Sequence, residues 1–141
     1  MEEEKIYYTK IIFECRDSRN DWNILINVIS REAAFQSLKW IGGKEKVVEN
    51  IPVKLTDEDI TELLPYINAL DFEAYRYVDD SKEWFIYDAP VLKFIGITNS
   101  YLPLYQHYIY YNDNRKDKRP YEKLYSYVIK KYFSSLIGKY F

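Results

Sequence analysis

The chain has 141 residues, of which 48% are hydrophobic and 30% charged, and its formal net charge is −2. This length and composition exclude a disordered chain and predict a single globular domain over residues 1–141. One cysteine excludes an internal disulfide and a thiolate zinc site, and one histidine excludes centres that need two. The acidic start and the short apolar runs predict a cytoplasmic protein with no membrane span, and we expect no cofactor.

The first two predicted elements form a β-hairpin. Ile6–Cys15 and Trp22–Ile29 alternate between apolar and polar side chains, and six polar residues separate them. Two such runs joined by a polar turn are typical of antiparallel strands.

The next segment favours a helix. Within residues 31–41 apolar side chains recur at helical spacing, Ser30 is a suitable N-cap, and Gly42-Gly43 follows as a helix terminator. Val47–Leu55 is then an extended stretch that Pro52 interrupts, which predicts an edge strand or a loop.

A second helix is predicted to begin after Thr56, which is followed by three acidic residues where the helix dipole favours them. Its apolar stripe consists of Ile60, Leu63, Leu64 and Ile67. Pro65 is expected to kink or end this helix, or to begin a fresh turn.

The second half of the chain contains a further predicted hairpin, formed by residues 72–78 and 84–88 around an acidic tip. Val91–Thr98 is apolar enough for a strand or a buried helix, and periodicity does not decide between them. The aromatic run 101–111 is predicted to be helical, and a final helix is expected from Pro120 to Gly138. The predicted class is therefore α+β, with an antiparallel sheet of about four strands, made of two hairpins, packed against three to four helices.

No catalytic signature emerges from the sequence. Cys15 lies near the end of a strand and is interpreted as a small apolar residue, and His107 lies in a tyrosine-rich run without an obvious partner. Gly42-Gly43 lacks the context of a phosphate-binding loop. The acidic residues lack the spacing of a calcium loop. The sequence therefore predicts a protein that is not an enzyme and has no metal site.

Charge is divided along the chain. Residues 1–100 carry 12 basic and 19 acidic side chains, whereas residues 101–141 carry 8 and 3, and ten of the 16 tyrosines also lie in that second part. The two parts either neutralise each other on folding or present one charged surface to a partner. Acidic residues concentrate further in 57–88, beside aromatic residues of the kind that interfaces use as anchors. The residues predicted to bind a partner are Glu58, Glu62, Asp79, Asp80, Glu83, Trp84, Tyr77 and Tyr87.

The leading hypothesis is a non-enzymatic inhibitor that covers a basic surface of another protein, most simply an immunity protein that neutralises a bacterial toxin such as a nuclease. One alternative is a phage-encoded inhibitor of a nuclease-based bacterial defence system. The other is binding of single-stranded nucleic acid through the basic, tyrosine-rich segment 101–141. The candidates for that role are Arg115, Lys118, Arg119, Lys130 and Lys131.

Overall fold

The computed structural model describes residues 7–16, 21–70, 91–99, 105–110 and 120–141. Six strands and two α-helices lie within these ranges, followed by a short 3-10 helix, Ser134–Leu136. The strands are β1 (Tyr8–Arg16), β2 (Asp21–Asn27), β3 (Glu32–Ile41), β4 (Lys44–Lys54), β5 (Val91–Thr98) and β6 (Tyr105–Tyr110). The helices are α1 (Asp57–Asn68) and α2 (Pro120–Tyr132). Among the helices of these ranges, none is long and apolar enough to cross a membrane.

All six strands belong to one antiparallel sheet in the order β4-β3-β2-β1-β5-β6. The α+β class is confirmed, but the prediction of about four strands and three to four helices is wrong for the part of the chain that is described. The predicted first hairpin is confirmed as β1 and β2, which pair antiparallel. Val91–Thr98, which periodicity left open, is a strand that pairs with β1. The predicted hairpin around residues 79–83 lies outside the described residues.

The predicted helix over residues 31–41 is wrong, because this segment is strand β3. Ala33, Phe35 and Ser37 are buried at every second position, which is the period of a strand with one covered face. β3 also pairs along its length with β4 and over most of it with β2, and these ladders outweigh its helical spacing. Ser30 is not a helix cap; its backbone N–H donates to the Asn27 side chain in the turn between β2 and β3.

The predicted helix over residues 101–111 is also wrong, since Tyr105–Tyr110 forms strand β6 beside β5. Pro52 lies in β4 at the edge of the sheet, as predicted, where the missing N–H of proline removes no hydrogen bond from an inner ladder. Helix α1 continues through Pro65 to Asn68. Leu64, predicted to face the core, is instead 38% exposed.

The core lies between one face of the sheet and the helices. Phe94, Phe13, Ile24 and Phe35 are neighbours in adjacent strands, and all four side chains are fully buried. Helix α2 packs on this row through Tyr125, whose ring lies 5.3 Å from that of Phe13. Burying such a side chain contributes roughly 1.5–3 kcal/mol, so this layer is a main source of stability.

Two further aromatic side chains, one in α2 and one directly after it, complete the aromatic layer. Tyr121 stacks on Phe94 with ring centroids 5.2 Å apart, and Phe133 lies 6.0 Å from Phe35. The tyrosines at positions 121 and 125 are therefore part of the core, as their helical spacing predicts.

Candidate functional site

Helices α1 and α2 bring the acidic and basic parts of the chain together. The Glu62 carboxylate accepts hydrogen bonds from the Lys131 ammonium at 2.7 Å and from the Tyr127 hydroxyl at 3.0 Å. The Tyr132 hydroxyl donates to Asp59 at 3.0 Å. Bonds from Lys131 and Tyr127 lower the pKa of Glu62, because both donors favour the charged carboxylate. Where the two parts meet, they therefore neutralise each other.

The first turn of α1 uses its acidic residues in the same way. Thr56 and Asp59 form a capping box, in which each side chain accepts the backbone N–H of the other residue. Asp57 forms an ion pair with Arg31. Glu58 is exposed and has no salt bridge within the described ranges. Of the four acidic residues of this helix, Glu58 is therefore the one most available to a partner.

The structure places only some of the predicted site residues. Glu58 and Glu62 lie on α1, and Lys130 and Lys131 lie on the last turns of α2. Glu62 and Lys131, predicted for two different partners, bind each other. The remaining candidates fall outside the described residues, namely Asp79, Asp80, Glu83, Trp84, Tyr77, Tyr87, Arg115, Lys118 and Arg119.

Cys15 lies in β1 and His107 in β6, and strand β5 separates them in the sheet. The Cys15 side chain is 6% exposed within the core, and Cys15 pairs with Trp22 and Leu92 in the neighbouring strands. The backbone of His107 lies in β6 opposite Phe94. No group of three or more histidine, cysteine, aspartate or glutamate residues within the described ranges is arranged to hold a metal ion.

The most prominent surface feature is a β-hairpin arm, defined here as residues 39–48. The β2–β3 ladder ends at the pair Asp21 and Leu38, so beyond that point, among the described residues, β3 pairs only with β4. The turn is Gly42-Gly43, with φ of +62° and +77°, and this backbone favours glycine at both positions. Two residues with positive φ form the type I′ turn that closes tight hairpins. Within the described ranges the arm is thus a two-stranded ribbon that continues beyond the end of the β2–β3 ladder.

The arm exposes large apolar side chains to solvent. Trp40 is 67% exposed, and about half of the surface of Ile41, Val47 and Val48 is exposed. An isolated exposed apolar side chain is ordinary, but the arm exposes four within ten residues, and two of them, Trp40 and Val47, lie on the same face. Neighbouring exposed apolar side chains of this kind are typical of interaction sites.

The two faces of the arm differ in character. Trp40 is opposite Glu45 and Leu38 opposite Val47, so these four residues share one face. Lys39 is opposite Lys46 and Ile41 opposite Lys44, which places three lysines on the other face. Like charges directly across a ladder destabilise the pairing. The Lys39–Lys46 pair is therefore a local cost that an anionic partner would relieve.

The sequence does not predict the arm, because the apolar spacing within residues 31–41 favours a helix there. The available signal was Gly42-Gly43, which between two extended runs predicts a tight hairpin as readily as it terminates a helix. Comparison of the chain with protein-family models, curated proteins and solved structures finds no match.

Proposed function

We propose that this chain is a non-enzymatic protein that binds another protein through its β-hairpin arm. The observation that carries the proposal is the exposure of Trp40 at 67% on a ribbon that extends beyond the sheet. Tryptophan is enriched among the side chains that dominate binding energy, because it buries a large area at a small entropic cost. Val47 and Val48 extend the apolar contact, and the lysine face supplies charge.

The size of the Trp40 contribution follows from its exposed area. Tryptophan buries about 150–250 Å² in an interface, of which roughly two thirds is available here. At about 25 cal/mol per Å² this corresponds to about 3 kcal/mol, or a factor of roughly 100 in the dissociation constant. The lysine face favours a partner whose binding cleft is apolar and rimmed by carboxylates.

An inhibitory role is the narrower form of this proposal. A ribbon that places an apolar anchor ahead of a rigid sheet is suited to filling a cleft on another protein. Inhibition of a bacterial toxin or of a nuclease-based defence system stays a prediction. Binding of a basic partner by the acidic span 57–88 also stays a prediction. Among the described residues of this span, Glu58 is the most available for such a contact.

The proposal is tested by comparing the wild type with Trp40→Ala in quantitative pull-downs from the native host. The control is Ile29→Ala, since Ile29 is 66% exposed and lies in the turn between β2 and β3, away from the arm. We expect a protein that the wild type and the control capture equally and that Trp40→Ala loses by about 100-fold in affinity. Because Trp40 is exposed, the free energy of unfolding should change by less than about 0.5 kcal/mol. A partner retained equally by all three proteins would rule out the arm.

A further inference from the structure

A second surface lies on the outer side of the helices, opposite to their buried stripe. It is an open groove of about 530 Å³ between α1 and α2, here called the lysine groove. The described residues that line it are Tyr66, Lys123, Ser126, Tyr127, Lys130 and Lys131. Five of these six residues come from α2 at spacings of three, four and seven, so they share one face of that helix.

The groove carries positive charge that the described residues do not neutralise. The Lys131 ammonium is bound by Glu62, which leaves Lys123 and Lys130 without an ion pair within the described ranges. These two lysines are seven residues apart on a helix, which separates their backbones by about 10 Å along its axis. Two exposed ammonium groups at this separation can contact neighbouring anionic groups of one extended ligand.

Aromatic rings form the other wall of the groove. Tyr66 of α1 and Tyr127 of α2 are stacked, with ring centroids 4.5 Å apart and planes inclined by 20°. The Tyr127 hydroxyl is held by Glu62 at 3.0 Å. A ring fixed in this way loses little conformational freedom when a planar ligand packs against it.

We propose that the lysine groove binds nucleotides, with Lys123 and Lys130 on the phosphates and the Tyr66–Tyr127 pair beside the base. Proteins bind single-stranded nucleic acids by combining two kinds of side chain. Cationic side chains contact the phosphate backbone, and aromatic rings stack on the bases whatever their sequence. This inference is independent of the arm and goes beyond protein binding. The phosphate and base can belong to a free nucleotide or to a single-stranded nucleic acid, and the experiment below distinguishes these sources.

The test measures binding of a fluorescein-labelled twelve-residue oligothymidylate by fluorescence anisotropy, at about 50 mM salt and upward, with ATP as a competitor. The decisive variant is Lys123→Glu with Lys130→Glu. The matched control is Lys10→Glu with Lys54→Glu, which makes the same change of charge on the sheet face away from the helices, where Lys10, Asn27, Glu32 and Lys54 lie in one row. The groove variant should unfold at the same urea midpoint as the wild type, because Lys123 and Lys130 are exposed. The control variant should unfold at a somewhat lower midpoint, because Lys54→Glu places a second carboxylate opposite Glu32, and binding is measured without urea, where both variants are folded.

We expect the groove variant to bind the oligonucleotide at least tenfold more weakly, while the control variant keeps most of the affinity. Two phosphate contacts give a slope of about −1.4 in a plot of log K against log salt, and the groove variant should lose that slope. Tyr66→Leu should weaken binding without changing the slope, because it removes ring surface and no charge.

Two results support the proposal and identify the source of the ligand. Displacement by ATP at concentrations comparable to those of the oligonucleotide indicates a free nucleotide, and retention of the oligonucleotide in excess ATP indicates a strand. The proposal is overturned if the wild type binds neither probe at low salt. It is equally overturned if the control variant loses as much affinity as the groove variant, or if Tyr66→Leu binds as well as the wild type.

Discussion

Gly96 of β5 offers the sharpest test of the packing, because a single atom added there meets the ring of Tyr8. A Cβ at Gly96 would lie 2.9 Å from Cδ1 of Tyr8, closer still to Cε1, and 3.3 Å from Cζ of Phe94. Tyr8 is 3% exposed and its ring makes an edge contact with Phe94, with centroids 6.4 Å apart. The Tyr8 ring therefore cannot move aside without disturbing its neighbours.

Two effects of opposite sign determine how far Gly96→Ala changes the free energy of unfolding. In a strand, alanine is favoured over glycine by roughly 0.5–1 kcal/mol, because it restricts the unfolded chain. Overpacking against a buried ring costs about 1–3 kcal/mol. We therefore expect a net destabilisation of about 1–2 kcal/mol. In a Tyr8→Val background the ring is absent, so Gly96→Ala should be neutral or stabilising by up to about 1 kcal/mol.

The assay is a double-mutant cycle measured by urea unfolding of the wild type, the two single variants and the double variant. The structure predicts a coupling of about 2 kcal/mol between positions 8 and 96. Tyr8→Val alone should be destabilising by roughly 2–4 kcal/mol, as expected for truncation of a buried aromatic ring. Additivity within about 0.5 kcal/mol would refute the reasoning, since it would mean that the added methyl group does not contact Tyr8.

Two further predictions concern helix α1. Hydrogen bonds from Lys131 and Tyr127 lower the pKa of Glu62 in the folded protein. The charged carboxylate therefore stabilises the fold at pH values above 4.5, its ordinary pKa. This stabilisation is lost as the pH falls through the lowered pKa of the folded state. Urea midpoints should therefore vary less between about pH 5 and pH 3 in Glu62→Gln than in the wild type, and identical pH profiles would contradict this. Thr56→Ala removes half of the capping box and should lower the free energy of unfolding by about 1 kcal/mol. Thr56→Ser keeps the hydroxyl group and should retain most of the wild-type stability. An equal loss of stability in both variants would argue against the cap.

The elements that sequence predicts correctly are those with one unambiguous signal. The first hairpin has a strict alternation that excludes a helix, and α1 begins at a Thr56 cap followed by acidic residues. Helix α2 begins at Pro120 as expected but ends at Tyr132 and not at Gly138, and Tyr121 and Tyr125 at helical spacing are buried as expected. In each of these segments local preference and tertiary packing agree, so a single sequence is sufficient.

The wrong predictions concern segments whose local sequence pattern conflicts with the strand pairing of the folded chain. β3 contains Ala33-Ala34 and a Leu38 that suit a helix, yet its burial alternates because β2 and β4 flank it. In Tyr105–Tyr110 the nearby Pro103 and the density of aromatic residues obscured a strand whose pairing depends on β5. Strand pairing joins residues that are far apart in the sequence, so a short segment considered alone does not reveal it.

The candidate site shows the same division between local and non-local information. The charge asymmetry predicts that the acidic and basic parts either neutralise each other or face partners, and the Glu62–Lys131 ion pair shows the first of these outcomes. Glu62 and Lys131 are 69 positions apart in the sequence, so only the packing of α1 against α2 identifies them as partners. The same packing leaves Lys123 and Lys130 exposed beside two stacked tyrosines.

The two proposed surfaces are inferred by one physical criterion. Each consists of exposed charged and aromatic side chains whose binding capacity the described part of the fold does not use. The acidic first turns of α1 are largely committed within the chain, through the capping box, the pair with Arg31 and the bonds to Glu62. The arm instead aligns Lys39 with Lys46, a like-charge pair that is unfavourable across a ladder, and leaves Trp40 67% exposed. Selection for stability alone would replace these residues, because β-branched or oppositely charged cross-strand pairs are more favourable. This is the physical ground on which we propose that the arm contacts another molecule.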